Sequence, residues 1–123
     1  YNKSGFDYTV KANRFLIEHV FFNIIDNAAS YNTLNGRIII ENKIDGSSAL
    51  VTIKDTGIGI PEELRERIFE RFFRVDKARS RETGGTGLGL SIVKHCLEIL
   101  NWDIKVRSSS GNGSEFIITI PLS

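Results

Sequence analysis

Asn23, Asn27 and Tyr31 stand four residues apart in the stretch NIIDNAASY. On a helix that spacing sets two primary amides and a phenol along one face. Their neighbours Phe21, Phe22, Ile24 and Ile25 are apolar, so the stripe reads as part of a buried helix. The plain alternative is a polar face turned to water. Buried and unpaired, each amide would cost about 1–3 kcal/mol, so it would need a partner. A side-chain amide oxygen is a hard, neutral ligand. It suits Mg²⁺ held mainly by phosphates and water.

Two glycine-rich stretches bear on the same chemistry. DTGIGI, residues 55–60, follows an apolar run. Glycine there permits a tight turn and the close approach of a ligand to the backbone. Asp55, at the end of a strand, can accept a hydrogen bond from an exocyclic amine. Alone, the stretch reads as an ordinary turn. GGTGLGL, residues 84–90, leads into an apolar helical pattern. It offers an anion free backbone N–H groups and the positive end of a helix. No Gly-Lys-Ser or Gly-Lys-Thr follows, and a loop rather than a strand precedes it, so neither a Walker loop nor a dinucleotide fingerprint is present. The preceding loop carries Arg71, Arg74, Lys77, Arg79 and Arg81 against Asp76 and Glu82. That charge is solvated surface or the border of a phosphate site.

The elements that must position these residues follow from periodicity. FDYTV, residues 6–10, alternates as a short strand. A helix runs from about residue 14, capped by Asn13. RIIIENKI and ALVTIKD read as two strands of a hairpin turning at DGSS. Pro61 followed by EELRERIF predicts a helix with proline at its first position. Residues 71–85 have no sustained period and read as a long functional loop. LGLSIVKHCLEIL is helical, with Leu90, Val93 and Leu97 on one face, and DIKVRS and SEFIITI are strands. The order β-α-β-β-α-loop-α-β-β predicts an α/β two-layer sandwich: one mixed sheet with helices packed on one face.

Composition bounds the reading. The 123 residues suit one domain, with 41% hydrophobic and 25% charged residues. A net charge of +1 gives no case for a nucleic-acid or membrane-surface partner. No apolar run reaches the length of a membrane span. The lone Cys96 lies in an apolar helical stretch and reads as a small core residue. The chain opens without Met, so a fragment of a longer protein is expected, with residues 1–123 forming one domain.

Taken together and in order, NIIDNAASY, DTGIGI, IFERFFRVD, GGTGLGL and the closing GSEFIITIP resemble the catalytic, ATP-binding domain of bacterial two-component sensor histidine kinases. They match that family's N box, glycine boxes, F box and last strand over about residues 8–121. The resemblance implies the Bergerat ATP-binding sandwich, with ATP and Mg²⁺ as ligands. It implies that Asn27 ligates Mg²⁺, with Asn23 beside it on the metal or its waters, and that Tyr31 lines the phosphate and ribose region. Asp55 accepts the adenine amino group, with Gly57, Gly59 and Ile60 around the nucleotide and a water held by Ser114. Residues 74–86 become the ATP lid. Gly87, Leu88 and Gly89 give N–H groups to the phosphates, and Arg74 steadies the γ-phosphate or a docking partner. Phe69, Phe72 and Phe73 hinge the lid on the core.

The implied activity is phosphoryl transfer from ATP to a histidine on a separate dimerisation and phosphoacceptor domain, in cis or in trans, with a response regulator served indirectly. The implied setting is cytoplasmic, as part of a membrane-anchored sensor. Three departures stand out. Ser30 occupies a place where the family commonly has Lys or Arg. Asn101 and Trp102 replace a glycine pair. His19 and His95 lack the acid-and-proline context of the phosphate acceptor. Gyrase-like and chaperone-like relatives carry a general-base glutamate four residues before the metal asparagine; here that place holds Asn23. Two rivals stay open: an anti-sigma-factor type serine kinase, and a degenerate nucleotide-binding scaffold.

Overall fold

The computed structural model describes residues 10–73, 89–108 and 111–122. The helical stretch begins where its cap dictates. Asn13 Oδ1 accepts from the Phe15 and Leu16 amides at 2.9 and 3.3 Å, satisfying two orphan donors of helix α1 (Arg14–Ser30). Val20, Ile24 and Ala28, four residues apart, form its buried ridge. Asn23, Asn27 and Tyr31 lie one position round from that ridge and are half-buried. The amide stripe is therefore the margin of the core rather than its centre.

Strands β1 (Ile38–Asp45) and β2 (Ser48–Asp55) form the expected hairpin, in register from Ile38 against Asp55 to Asp45 against Ser48. Helix α2 (Gly89–Leu100) leads into β3 (Asp103–Ser108) and β4 (Ser114–Pro121). The sheet has four strands in the order β1-β2-β4-β3. Alternation decides what faces the helices. Ala49, Val51 and Ile53 of β2, with Phe116, Ile118 and Ile120 of β4, are buried on one face against Val20, Ile24, Val93 and Leu97. Fully burying each of the larger side chains among these stabilises by about 1.5–3 kcal/mol. The same rows continue into two polar members at one end of the sheet: Asp55 is 6% exposed and Ser114 8%. Core patterning thus carries a carboxylate and a hydroxyl to the core's rim. Cys96 packs inside the core, and burial pushes its thiol above the ordinary range.

The sandwich has its helices on one face, as expected, but the sheet differs from the mixed one expected. Its three pairings are all antiparallel among the described residues. A helical crossover separates β2 from β3, which suggests a parallel pair. The two strands do run the same way, but β4 is inserted between them. The helix expected after Pro61 is also replaced. Residues Glu62–Leu64 and Arg67–Phe69 form two short 3₁₀ turns, with Pro61 preceding the first. A proline and acidic residues favour a helix start, but this segment gains no buried face beyond Ile68 to extend one. The expected strand at 6–10 lies outside the described residues apart from Val10, which is in no strand and packs against the core.

At the far end of α2, Asn101 adopts φ +59° and the Trp102 amide donates to the Leu97 carbonyl at 3.0 Å. This is a left-handed helix closure with asparagine in the place glycine usually takes. Trp102 packs against the core.

Candidate functional site

Asp55, the last residue of β2, spends its carboxylate on a corner of the fold. Its Oδ1 accepts from the Gly57 amide at 2.9 Å and the Ser114 amide at 3.3 Å, and its Oδ2 from the Ser114 hydroxyl at 2.6 Å. The serine hydroxyl thus donates to the carboxylate directly. A carboxylate has about four lone-pair sites, so three bonds leave one on Oδ2. Two glycines make the corner possible. A Cβ on Gly57 would collide with the Tyr31 carbonyl oxygen, and one on Gly113 with the Asp55 carbonyl oxygen. Gly113 also sits at φ +74°, a conformation that side chains rarely tolerate.

The loop after Asp55 is tied to the end of α1. Ile58 N–H donates to the Tyr31 carbonyl at 3.2 Å. The Thr56 hydroxyl donates to Asn32 Oδ1 and accepts from the Arg37 amide, both at 2.8 Å. On the other side, the Ile60 amide donates to the Ser108 hydroxyl at 2.7 Å. A cavity opens between this loop and the helices. Asn27, Tyr31, Asp55 and Ser114 give its polar wall; Ile58, Gly59, Ile60, Ile68, Phe73 and Leu90 give the rest.

The structure therefore gathers six of the sequence-predicted site residues around one pocket: Asn27, Tyr31, Asp55, Gly59, Ile60 and Ser114. Gly57 stands behind the wall, its N–H committed to Asp55. Asn23 does not line the pocket. Its Nδ2 donates to the His19 carbonyl one turn back, at 2.7 Å. Its Oδ1 lies 3.1 Å from where a Cβ of Gly89 would stand, so it faces the first turn of α2. Arg74, Gly87, Leu88 and the whole expected lid, residues 74–86, lie outside the described residues.

The three hinge phenylalanines divide. Phe69 and Phe73 pack against the core, with the Arg67 guanidinium 4.6 Å from the Phe73 ring centre. Phe72 is 65% exposed, at φ +65°. Sequence reasoning missed Ile58, Ile68 and Leu90 as pocket lining, and Ser108 altogether. The alternation of glycine and isoleucine in DTGIGI was a signal for Ile58, because it forces the apolar side chains of a tight loop toward one side. Ser108 gave none, since its hydroxyl meets only backbone groups, one of them on Ile60 at the far side of the chain.

The Asn27 side chain forms no hydrogen bond among the described residues, although it is half-buried at the pocket. Among the described residues no three His, Cys, Asp or Glu groups stand close enough to hold a metal. A cation here would draw on the amide oxygen and on its own phosphate and water ligands, a donor set that suits Mg²⁺ and does not suit Zn²⁺. His19 stacks edge-on with Phe15, ring centres 4.4 Å apart, and His95 is exposed. Neither lines the pocket.

Residues 12–123 match the family described as histidine kinase-, DNA gyrase B- and HSP90-like ATPases. The sensor-like histidine kinase SenX3 of Mycolicibacterium smegmatis is 44% identical over 114 residues, which are 93% of this chain and 30% of that protein. The chain thus spans less than a third of that relative's length. Among solved structures, the mycobacterial sensor histidine kinase MprB superposes with a TM-score of 0.77 at 30% identity, covering 89% of this chain and 72% of that one. A nucleotide-free catalytic domain of histidine kinase ThkA gives 0.75 at 35% identity, covering 91% and 70%.

Proposed function

The chain belongs to the histidine kinase-, DNA gyrase B- and HSP90-like ATPase family, and from that premise we propose that it binds Mg-ATP and donates the γ-phosphate to a histidine on a separate dimerisation domain of its own kinase. One observation carries this reading: a strand-end carboxylate with one acceptor site left and a helix-borne amide without a partner among the described residues line the same pocket.

In this reading the Asp55 Oδ2 accepts the adenine amino group, and Ile58, Ile60, Ile68 and Leu90 supply apolar contact for the base. Asn27, with Asn23 near it, would hold Mg²⁺, which when bound neutralises charge on the β- and γ-phosphates. Arg74 and the N–H groups of Gly87, Leu88 and Gly89 complete the phosphate end. The work of this chain is positioning, since phosphoryl transfer asks for little else from the protein. Asn23 and Asn27 cannot accept a proton near neutral pH, so neither can serve as base for an attacking water. ATP held here is kept for the histidine rather than hydrolysed. The partners proposed are the phosphoacceptor domain and, through it, a response regulator. The setting proposed is the cytoplasmic part of a sensor; no described helix is long and apolar enough to cross a membrane.

The test is label transfer. The chain, mixed with Mg²⁺, γ-labelled ATP and the purified dimerisation domain of its parent kinase, should produce a phosphoprotein that is acid-labile and alkali-stable. Label on serine would favour the anti-sigma-factor type of kinase. Brisk ATP hydrolysis by the chain alone, abolished by Asn23→Ala, would contradict the assignment.

A further inference from the structure

Ser108 ends β3 and lies outside the pocket lining, yet it joins two walls of the pocket. Its hydroxyl accepts from the Ile60 amide at 2.7 Å and donates to the Gly113 carbonyl at 2.7 Å. The Gly113 carbonyl belongs to the same peptide group as the Ser114 N–H, which donates to Asp55 Oδ1 at 3.3 Å. One peptide plane is thus gripped from both sides, by Ser108 at its oxygen and by Asp55 at its nitrogen. The orientation of that plane sets where the Ser114 hydroxyl points, and it points at Asp55 Oδ2, at 2.6 Å. Ser108 is itself held from behind, because Arg65 Nη2 donates to its carbonyl at 2.7 Å.

We propose that Ser108 is a positioning residue for nucleotide recognition: it clamps the Ile60 wall to the Gly113–Ser114 peptide and so fixes the Asp55 carboxylate at the base end of the pocket. The proposal rests on the nucleotide-binding reading above. The hydrogen bonds run in series, from the Ile60 amide through the serine hydroxyl and the peptide to the carboxylate, and members of such a chain polarise one another. Only a side chain that both accepts and donates can serve as the middle link, which restricts the position to a hydroxyl or to an amide of the right reach. Alanine leaves the Ile60 amide and the Gly113 carbonyl without this partner. Threonine keeps the hydroxyl, and its β-branch suits the end of a strand.

The test compares the wild-type chain with Ser108→Ala and Ser108→Thr. In the nucleotide-free protein, Ser108→Ala should speed hydrogen exchange at the Ile60 and Ser114 amides. By calorimetry it should weaken Mg-ATP binding about tenfold, the loss expected of one or two hydrogen bonds, and it should narrow the preference for ATP over GTP. Label transfer to the dimerisation domain at saturating ATP should keep its rate. Ser108→Thr should restore all of these properties. Unchanged exchange with unchanged ATP affinity would overturn the proposal. So would an equal loss of ATP and GTP binding, because general loosening then explains the effect. If the wild-type chain binds no nucleotide at all while Ser108→Ala still exchanges faster, the nucleotide reading is overturned, and this role of Ser108 with it.

Discussion

The two ends of the pocket are built in opposite ways. At the base end, the Asp55 corner is densely bonded: three donors on the carboxylate, which keeps one acceptor site on Oδ2, the Ile58 amide on the Tyr31 carbonyl, and the Thr56 hydroxyl on Asn32 and Arg37. Those partners come from the end of α1, from the segment leading into β1 and from β4, so the corner exists only when these distant parts of the chain have come together. At the phosphate end, among the described residues, Asn27 has no hydrogen-bonding partner for its side chain and the Asn23 side chain bonds only within its own helix. On the proposed reading, the groups that would recognise a rigid, neutral base are preorganised by the fold. Those that would meet a metal and a triphosphate are left for the ligands to satisfy. The base end should therefore respond to substitution with lost stability as well as lost binding, and the phosphate end with lost binding alone.

The largest effect should come from Gly57→Ala. A methyl group there meets the Tyr31 carbonyl and lies 2.9 Å from Asp55 Oδ1, both parts of the corner. Stability should fall by about 3 kcal/mol, the upper range for overpacking, and ATP binding should vanish; urea unfolding and calorimetry would check both. A normal midpoint would break the contrast at its strongest point.

Asp55→Asn comes next. With its NH₂ in the Oδ1 place the new amide leaves the Gly57 and Ser114 N–H groups unpaired; in the Oδ2 place it can donate to the Ser114 hydroxyl, which then loses its own acceptor. A loss of about 1–3 kcal/mol is expected, with ATP binding again abolished.

Asn27→Ala should behave differently. Mg-ATP affinity should drop about tenfold or more, a change of at least about 1.4 kcal/mol. The unfolding free energy should stay within about 0.5 kcal/mol of wild type, as for a surface change. Asn27→Asp should shift the Mg²⁺ concentration needed for binding. If both variants bind Mg-ATP like the wild type, Asn27 does not belong to the site. The smallest effect sharpens the comparison from outside the pocket: Asn13→Ala removes the cap of α1, costs about 1 kcal/mol, and should leave ATP affinity unchanged.

What the sequence disclosed follows the same division. The rows Ala49, Val51, Ile53 and Phe116, Ile118, Ile120 alternate cleanly, and so the hairpin, the final strand and the position of Asp55 at a strand end were legible. Asn13 as a cap and the helical spacing of Asn23, Asn27 and Tyr31 were legible for the same local reason. The strand order was not. That β4 inserts between β2 and β3 depends on how two distant segments pair, and nothing local states it. The segment after Pro61 carried local helix-start signals, but tertiary packing left it as two 3₁₀ turns. Ser108 was invisible because a hydroxyl joining Ile60 to Gly113 leaves no periodic trace. Phe22 misled in the other direction. It belongs to the apolar run around Asn23, yet it is 67% exposed, because the buried ridge of α1 runs through Val20, Ile24 and Ala28.

The most direct measurement is a calorimetric titration of the 123-residue chain with ATP, in the presence of Mg²⁺ and of a chelator, with GTP as the control. Saturable one-to-one ATP binding is expected, tighter with Mg²⁺ and much weaker for GTP, whose six-position carbonyl offers Asp55 no donor. No binding in either condition, or equal affinity for ATP and GTP, would contradict a pocket that holds adenine on the Asp55 carboxylate.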